Sequence, residues 1–268
     1  MDTTSNTTTP TNTNNAFADT TTDNFATIDI ETIPASDIPE DCLPKFNEED
    51  VKVGNLKDRF KIEEKINQER MKFEANIHKT MSLDPDLCRI LCISTHETAT
   101  NTTSHWYAQT ERDEYTALYE AWQWITSQIA REIPVVTFNG QGFDFPVMIR
   151  RAMLLDVAVP ARTISQVMKR QDSNRVHLDL MLILASRNPF SGRPEAKGLN
   201  YYLQRFQITN GNGVGKYGGM TGADVYPAFQ EGRHQQIIDY CRSDSELTRD
   251  LCRRIYPWIM PTKAKNVL

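Results

Sequence analysis

Apolar positions recur along the chain with two periods. Short, largely apolar runs at 25–30, 89–94, 105–108, 134–138 and 176–180 predict five short strands. The 3.6-residue period predicts helices over 111–130, 143–155, 181–185, 199–206, 224–230 and 233–256. In 111–130 it is carried by Tyr115, Leu118, Tyr119, Trp122, Ile125 and Ile129. Three strands close together, followed by alternating helix and strand, predict an α/β layer fold with a mixed sheet. Between the first two strands, 36–86 is dense in charge. Its apolar residues Phe60, Ile62, Ile66, Met71, Phe73 and Ile77 predict one helix in an exposed insertion.

Composition narrows the function. The 268 residues carry a formal net charge of -5, which argues against a protein that coats nucleic acid electrostatically. It leaves room for an enzyme that grips a few phosphates with local basic groups and metal ions. The five cysteines form no Cys-x-x-Cys pair, so a disulfide scaffold or four-thiolate zinc site is not expected, and a reducing cytoplasm is. No apolar run is long enough for a membrane span. Residues 1–24 are rich in Thr and Asn and are expected to be a disordered tail. The ordered domain is expected over 25–258, with a C-terminal tail over 259–268.

Three separated segments hold candidate chemistry. Asp29-Ile-Glu31-Thr32 ends the first strand, where alternation puts Asp29 and Glu31 on one face, about 6–7 Å apart. Hard oxygen ligands so placed suit Mg²⁺ or Mn²⁺, although a solvated strand end would read the same way. Asn139-Gly140-Gln141-Gly142-Phe143-Asp144 lies where a buried strand turns into a helix, a position where α/β sheets place ligands. Asp144 there could equally serve the helix macrodipole. Tyr240 and Asp244 stand one turn apart on the C-terminal helix.

The order and context of these blocks, with Arg89-Ile-Leu-Cys-Ile93 and His177-Leu-Asp-Leu180, resemble the DEDDy branch of the 3′–5′ exonucleases. These belong to the ribonuclease-H-like superfamily. The likeness is to stand-alone exonucleases related to the proofreading domain of family-B DNA polymerases, and it runs from about Phe25 to Tyr256. It implies a three-layer ribonuclease-H-like fold with a mixed five-stranded sheet. It implies two divalent ions, Mg²⁺ or Mn²⁺, with Asp29 bridging them. Glu31 and Asp244 would complete the site of the metal that holds the attacking water, and Asp144 would hold the second metal. Tyr240 would orient or help deprotonate that water. Thr32, Asn139 and Phe143 would touch substrate. The implied activity is metal-dependent hydrolysis of nucleic acid from a free 3′ end, single-stranded DNA being the expected substrate. A polymerase or repair partner would act in trans. An exoribonuclease on the same scaffold is the alternative, as is a catalytically weak nucleic-acid-binding module.

Other features remain open on sequence alone. Asp179 reads as a helix cap or as support for the site, Asn139 as a substrate contact or a turn brace, and Phe143 and Phe145 as base-stacking or core residues. The string Gly213-Val-Gly-Lys-Tyr-Gly218 lacks the strand–turn–helix context of a dinucleotide site and reads as a loop that offers Lys216 to a phosphate. Arg150, Arg151, Arg162, Lys169, Arg170 and Arg175 form the most basic stretch, either a solvated face or a substrate track.

Overall fold

A computed structural model of the chain describes residues 24–169, 176–187, 194–209 and 219–259. The expected N-terminal tail (to residue 23), most of the C-terminal tail, Lys216 with its glycine string, Arg170 and Arg175 lie outside the described residues.

Strand β1 (Ala26–Pro34) is followed by two short 3₁₀ turns and by helix α1 (Arg59–Ser82). Strands β2 (Cys88–Glu97) and β3 (Thr102–Tyr107) then form an antiparallel meander with β1. Helix α2 (Glu111–Ala130) leads to β4 (Val135–Thr137), and helices α3 (Asp144–Leu154) and α4 (Ala161–Val167) lead to β5 (His177–Asp179). Both β4 and β5 add in parallel, giving a mixed five-stranded sheet in the order β3-β2-β1-β4-β5. Helix α5 (Leu180–Leu184), a two-stranded ribbon of β6 (Ser186–Arg187) and β7 (Pro194–Glu195), α6 (Leu199–Arg205), α7 (Val225–Gln230) and α8 (His234–Ile259) complete the described chain. The predicted elements recur with longer β1 and β2. The ribbon and α4 were not foreseen, being too short to show a period.

Alternation along β1 sorts its side chains between two helical layers. Ile28 and Ile30 join Leu118, Trp122, Ile125, Phe145 and Met148 from α2 and α3 in one core. The odd face meets α8, whose buried Ile237, Tyr240, Cys241, Asp244, Ser245, Thr248 and Leu251 follow the 3/4 helical spacing. This is the three-layer α/β/α arrangement of the ribonuclease-H-like fold.

The basic stretch divides once its partners are known. Arg151 is 1 % exposed, and its guanidinium makes two bonds to the Glu114 carboxylate, at 2.8 and 2.9 Å. The same carboxylate accepts the Ile90 N–H. Arg150 pairs with Asp86. Arg151 therefore belongs to the core, while Arg150, with its surface partner, Arg162 and Lys169 are exposed. Glu114→Gln would leave the buried Arg151 charge with only the more distant, partly exposed Asp37 carboxylate at 3.5 Å. The expected loss is about 3–5 kcal/mol of unfolding free energy, read as a lower urea midpoint at unchanged m. A loss below about 1 kcal/mol would contradict this account.

Candidate active site

Helix α8 lies on β1 through small and hydroxylated side chains. The Thr27 hydroxyl donates to the Ser245 carbonyl at 2.8 Å, Ser94 and Ser245 hydroxyls meet at 2.8 Å, and Cys241 Sγ lies 3.7 Å from the Asp29 carbonyl. Small residues at 241 and 245 let the helix approach closely and bring the intervening Asp244 over the end of β1. There, carboxylate oxygens of Asp29, Glu31 and Asp244 all lie within 4.8 Å of one another. The strand register slips just after Glu31, where a bulge re-aims the strand end. Glu31 and Asp244 are buried and Asp29 half-buried.

Three carboxylates so close repel one another strongly in a desolvated site. Their oxygens span the distance across one hard cation, whose opposed ligands stand about 4.2 Å apart at Mg²⁺–oxygen lengths. This all-oxygen donor set fits Mg²⁺ or Mn²⁺.

Tyr240 lies one turn before Asp244, is buried, and hydrogen-bonds the Asp244 carboxylate. Burial first, then the charges of Asp244, Glu31 and Asp29, push its phenol well above the ordinary value of 10.0. The hydroxyl is therefore neutral near neutral pH and donates to the Asp244 carboxylate.

Asp144 stands beside this cluster without joining the three. It is the first residue of α3, buried, and burial raises its carboxyl to about 7, with the Asp179 charge adding to the rise. Backbone N–H groups of Asp144 itself and of Ile30 counter part of that rise. Its side chain thus faces β1 at the residue between Asp29 and Glu31.

The turn that carries Asp144 is built by a chain of bonds. His177 Nδ1 lies 2.8 Å from the Val167 carbonyl, to which it donates, so Nε2 is left to accept the Thr137 hydroxyl at 2.8 Å. Thr137 Oγ1 in turn accepts the Gly140 N–H at 3.1 Å. Burial lowers His177 to about 4, which keeps it neutral in this role. A Cβ at Gly140 would lie 2.3 Å from Thr137 Oγ1, so glycine is required there. Asp179 caps α5 through the Met181 and Leu182 N–H groups and also accepts the Asn139 and Gln141 N–H groups. Both of its open readings hold at once: it is a cap, and it fixes the turn. His177 and Thr137 were not singled out from sequence. Asp179 lies 38 and 40 positions along the chain from Gln141 and Asn139, whose N–H groups it accepts.

Asn139 has φ 71°, and its carbonyl accepts the Gly142 and Phe143 N–H groups, so its backbone braces the turn. Phe145 is core, packed edge-on against His177 at 4.7 Å, whereas Phe143 is half-buried and lines the cleft. Thr32 also lines the cleft, but its hydroxyl donates to the Ser82 carbonyl at 2.6 Å. That bond joins the end of β1 to the end of α1. The cleft, of about 620 Å³, is walled by Ala75, His78, Lys79 and Ser82 of α1 and by Tyr226 and Gln230 at α7. The insertion is therefore one wall of the site, where the sequence suggested only an exposed flap.

A family profile described as a predicted 3′–5′ exonuclease related to the exonuclease domain of PolB matches residues 82–249. The chain belongs to this family. The matched span of this PolB-related exonuclease family includes Asp144, Tyr240 and Asp244, while Asp29 and Glu31 precede it. Among solved structures, the family B DNA polymerase of the hyperthermophilic archaeon Pyrobaculum calidifontis is similar in fold, with a TM-score of 0.51 at 15% identity. The similarity covers 88% of this chain and 25% of the polymerase, so the chain spans a quarter of that protein. No curated protein matches the chain. Among the described residues, no helix is long and apolar enough to cross a membrane.

Proposed function

We propose that the protein is a metal-dependent 3′–5′ exonuclease that releases 5′-mononucleotides from a single-stranded DNA end. The observation that carries this reading is the meeting of the Asp29, Glu31 and Asp244 carboxylates within 4.8 Å at the floor of a cleft. Mutual repulsion makes the cluster costly unless cations bind it. Asp29, Glu31 and Asp244 would hold one divalent ion, and Asp29 with Asp144 a second. When bound, such ions supply charge neutralisation for a displacement at phosphorus. The chain's own groups do the rest. Tyr240 offers a neutral hydroxyl that can hold the attacking water, Phe143 offers a ring face to the terminal base, and the braced turn fixes Asp144.

The direct test is a 5′-labelled strand of DNA or RNA incubated with Mg²⁺, Mn²⁺ or chelator. Single-stranded DNA should shorten to a ladder only with metal, and a blocked 3′ end should resist. Release of the label as a mononucleotide at once, or cutting of a closed circle, would reject the reading. Preference for the RNA strand would instead identify an exoribonuclease.

The state of Asp144 makes metal binding pH-dependent. With its carboxyl near 7, the protonated form dominates below that pH and competes with the cation, whereas the carboxylate dominates above it. Affinity for the second ion should therefore strengthen as pH rises, by up to about tenfold per unit below 7. Calorimetric Mn²⁺ titrations at pH 6 and pH 8 check this, with proton release expected at pH 6. Equal affinities would show that Asp144 is not a ligand.

A further inference from the structure

We propose that α1 carries a second nucleic-acid site, a cationic track for the strand behind the 3′ terminus. The inference rests on the exonuclease reading for its ligand, but its evidence lies outside the catalytic cleft. Lys65, Lys72 and Lys79 recur at intervals of seven residues along α1. That interval returns each side chain to nearly the same face, with a drift of only about 20° per repeat. Lys79 lines the catalytic cleft. Lys65 and Lys72 line a separate open pocket of about 650 Å³ further along the helix, with Lys45 and Lys52 from the preceding loop. The pocket therefore gathers four lysines against two acids, Asp50 and Glu69, in a protein of net charge -5. Lys72 shares Glu69 at 2.8 Å but stays 65% exposed, Lys65 donates to the Lys52 carbonyl while its charge also acts on Glu69, and Lys45 meets Asp41 at 3.9 Å, so the lysines outnumber the acids that they meet.

Aromatic groups accompany the charges. Phe46 and Phe73 lie in the pocket wall with ring centres 5.8 Å apart, and the Arg70 guanidinium sits 4.8 Å over Phe46. Alternating cations and ring faces suit a single strand, whose phosphates and unpaired bases they meet in turn. At about 1.5 Å per residue, Lys65 lies roughly 21 Å along the helix from Lys79. That length accommodates several successive phosphates of a single strand. The strand bound here is continuous with the one whose end enters the cleft, so the track would anchor substrate between successive cleavages.

The test is fluorescence anisotropy with labelled 3-mer and 12-mer single strands, in chelator, across a salt series. Wild type should gain affinity with length. In the Lys65→Gln/Lys72→Gln double variant, the ratio of 12-mer to 3-mer affinity should fall about tenfold. The slope of log affinity against log salt should become shallower by about 1.4, since each phosphate contact on a single strand contributes about 0.7. Lys65→Arg/Lys72→Arg should restore both readouts. An unchanged ratio and slope in a double variant whose circular dichroism matches wild type would overturn the track. A wild type that binds with this length dependence but releases no nucleotide in Mg²⁺ would sink the exonuclease reading and leave the track standing.

Discussion

Asp29→Ala is expected to abolish hydrolysis while leaving the fold intact or slightly firmer. Asp29 is the carboxylate proposed to serve both cations, and alanine there leaves Glu31 and Asp244 as the remaining members of the cluster. Loss of ligand-held cations removes several kcal/mol of charge stabilisation from the transition state, so a fall of about 10³-fold or more is expected. Stability should move the other way. Without metal, three carboxylates crowd within 4.8 Å, and removing one relieves repulsion. Single-turnover rates in Mg²⁺, paired with thermal melts in chelator, check both halves. Activity within tenfold of wild type, or a large drop in melting temperature, would contradict the role given to Asp29.

Tyr240→Phe and Asp244→Asn separate positioning from ligation. The phenol sits well above its ordinary pKa and is a neutral donor, so it is a poor ligand beside carboxylates. Phenylalanine keeps the ring and its packing and removes only the hydroxyl. The rate should fall roughly 10²–10⁴-fold, the usual worth of a positioning or acid–base group, with unchanged metal dependence. Asp244→Asn removes an anionic ligand, so its loss should be at least as large and should shift the Mg²⁺ concentration needed for half-maximal rate upward. Rates measured against Mg²⁺ concentration for both variants decide the matter. Rescue of Tyr240→Phe by added metal would make Tyr240 a ligand after all, and an unchanged rate would remove it from the site.

Part of this arrangement was legible from sequence, because strand alternation puts Asp29 with Glu31 and helical spacing puts Tyr240 with Asp244, although β1 runs on to Pro34 beyond the end expected for it. It was the resemblance to a known family, not either period, that joined the pairs into one site. What the periods cannot supply is the partner across the fold. Thr32 reads as a cleft residue until α1 is seen to end with the Ser82 carbonyl against it. Arg151 reads as a surface cation until Glu114, 37 residues earlier, meets it in the core. The direction of Asp144 toward Ile30 depends on a turn held by Asp179 and Thr137; the Asp179 cap on α5 is locally legible, but its bonds to the Asn139 and Gln141 N–H groups are not. The lysine interval on α1 was visible in the sequence, but charges repeat on many solvated helices. It gained meaning only when one end of the helix proved to wall the cleft.

Helix α1 is moored most firmly at its last turn. The Ser82 carbonyl is fastened to β1 through Thr32 and the middle of the helix meets the preceding loop through Lys65 and Phe73, whereas the first turn, among the described residues, shows the local Asp58 cap on Phe60 and the Arg59–Glu63 pair. Unravelling should therefore begin at Arg59 and reach Ser82 last, and amide exchange should slow progressively along the helix. Such a part can be lengthened or trimmed by whole turns at its loose end without moving a carboxylate. How far the protein reaches along its substrate is thus a dimension that selection can change separately from its chemistry.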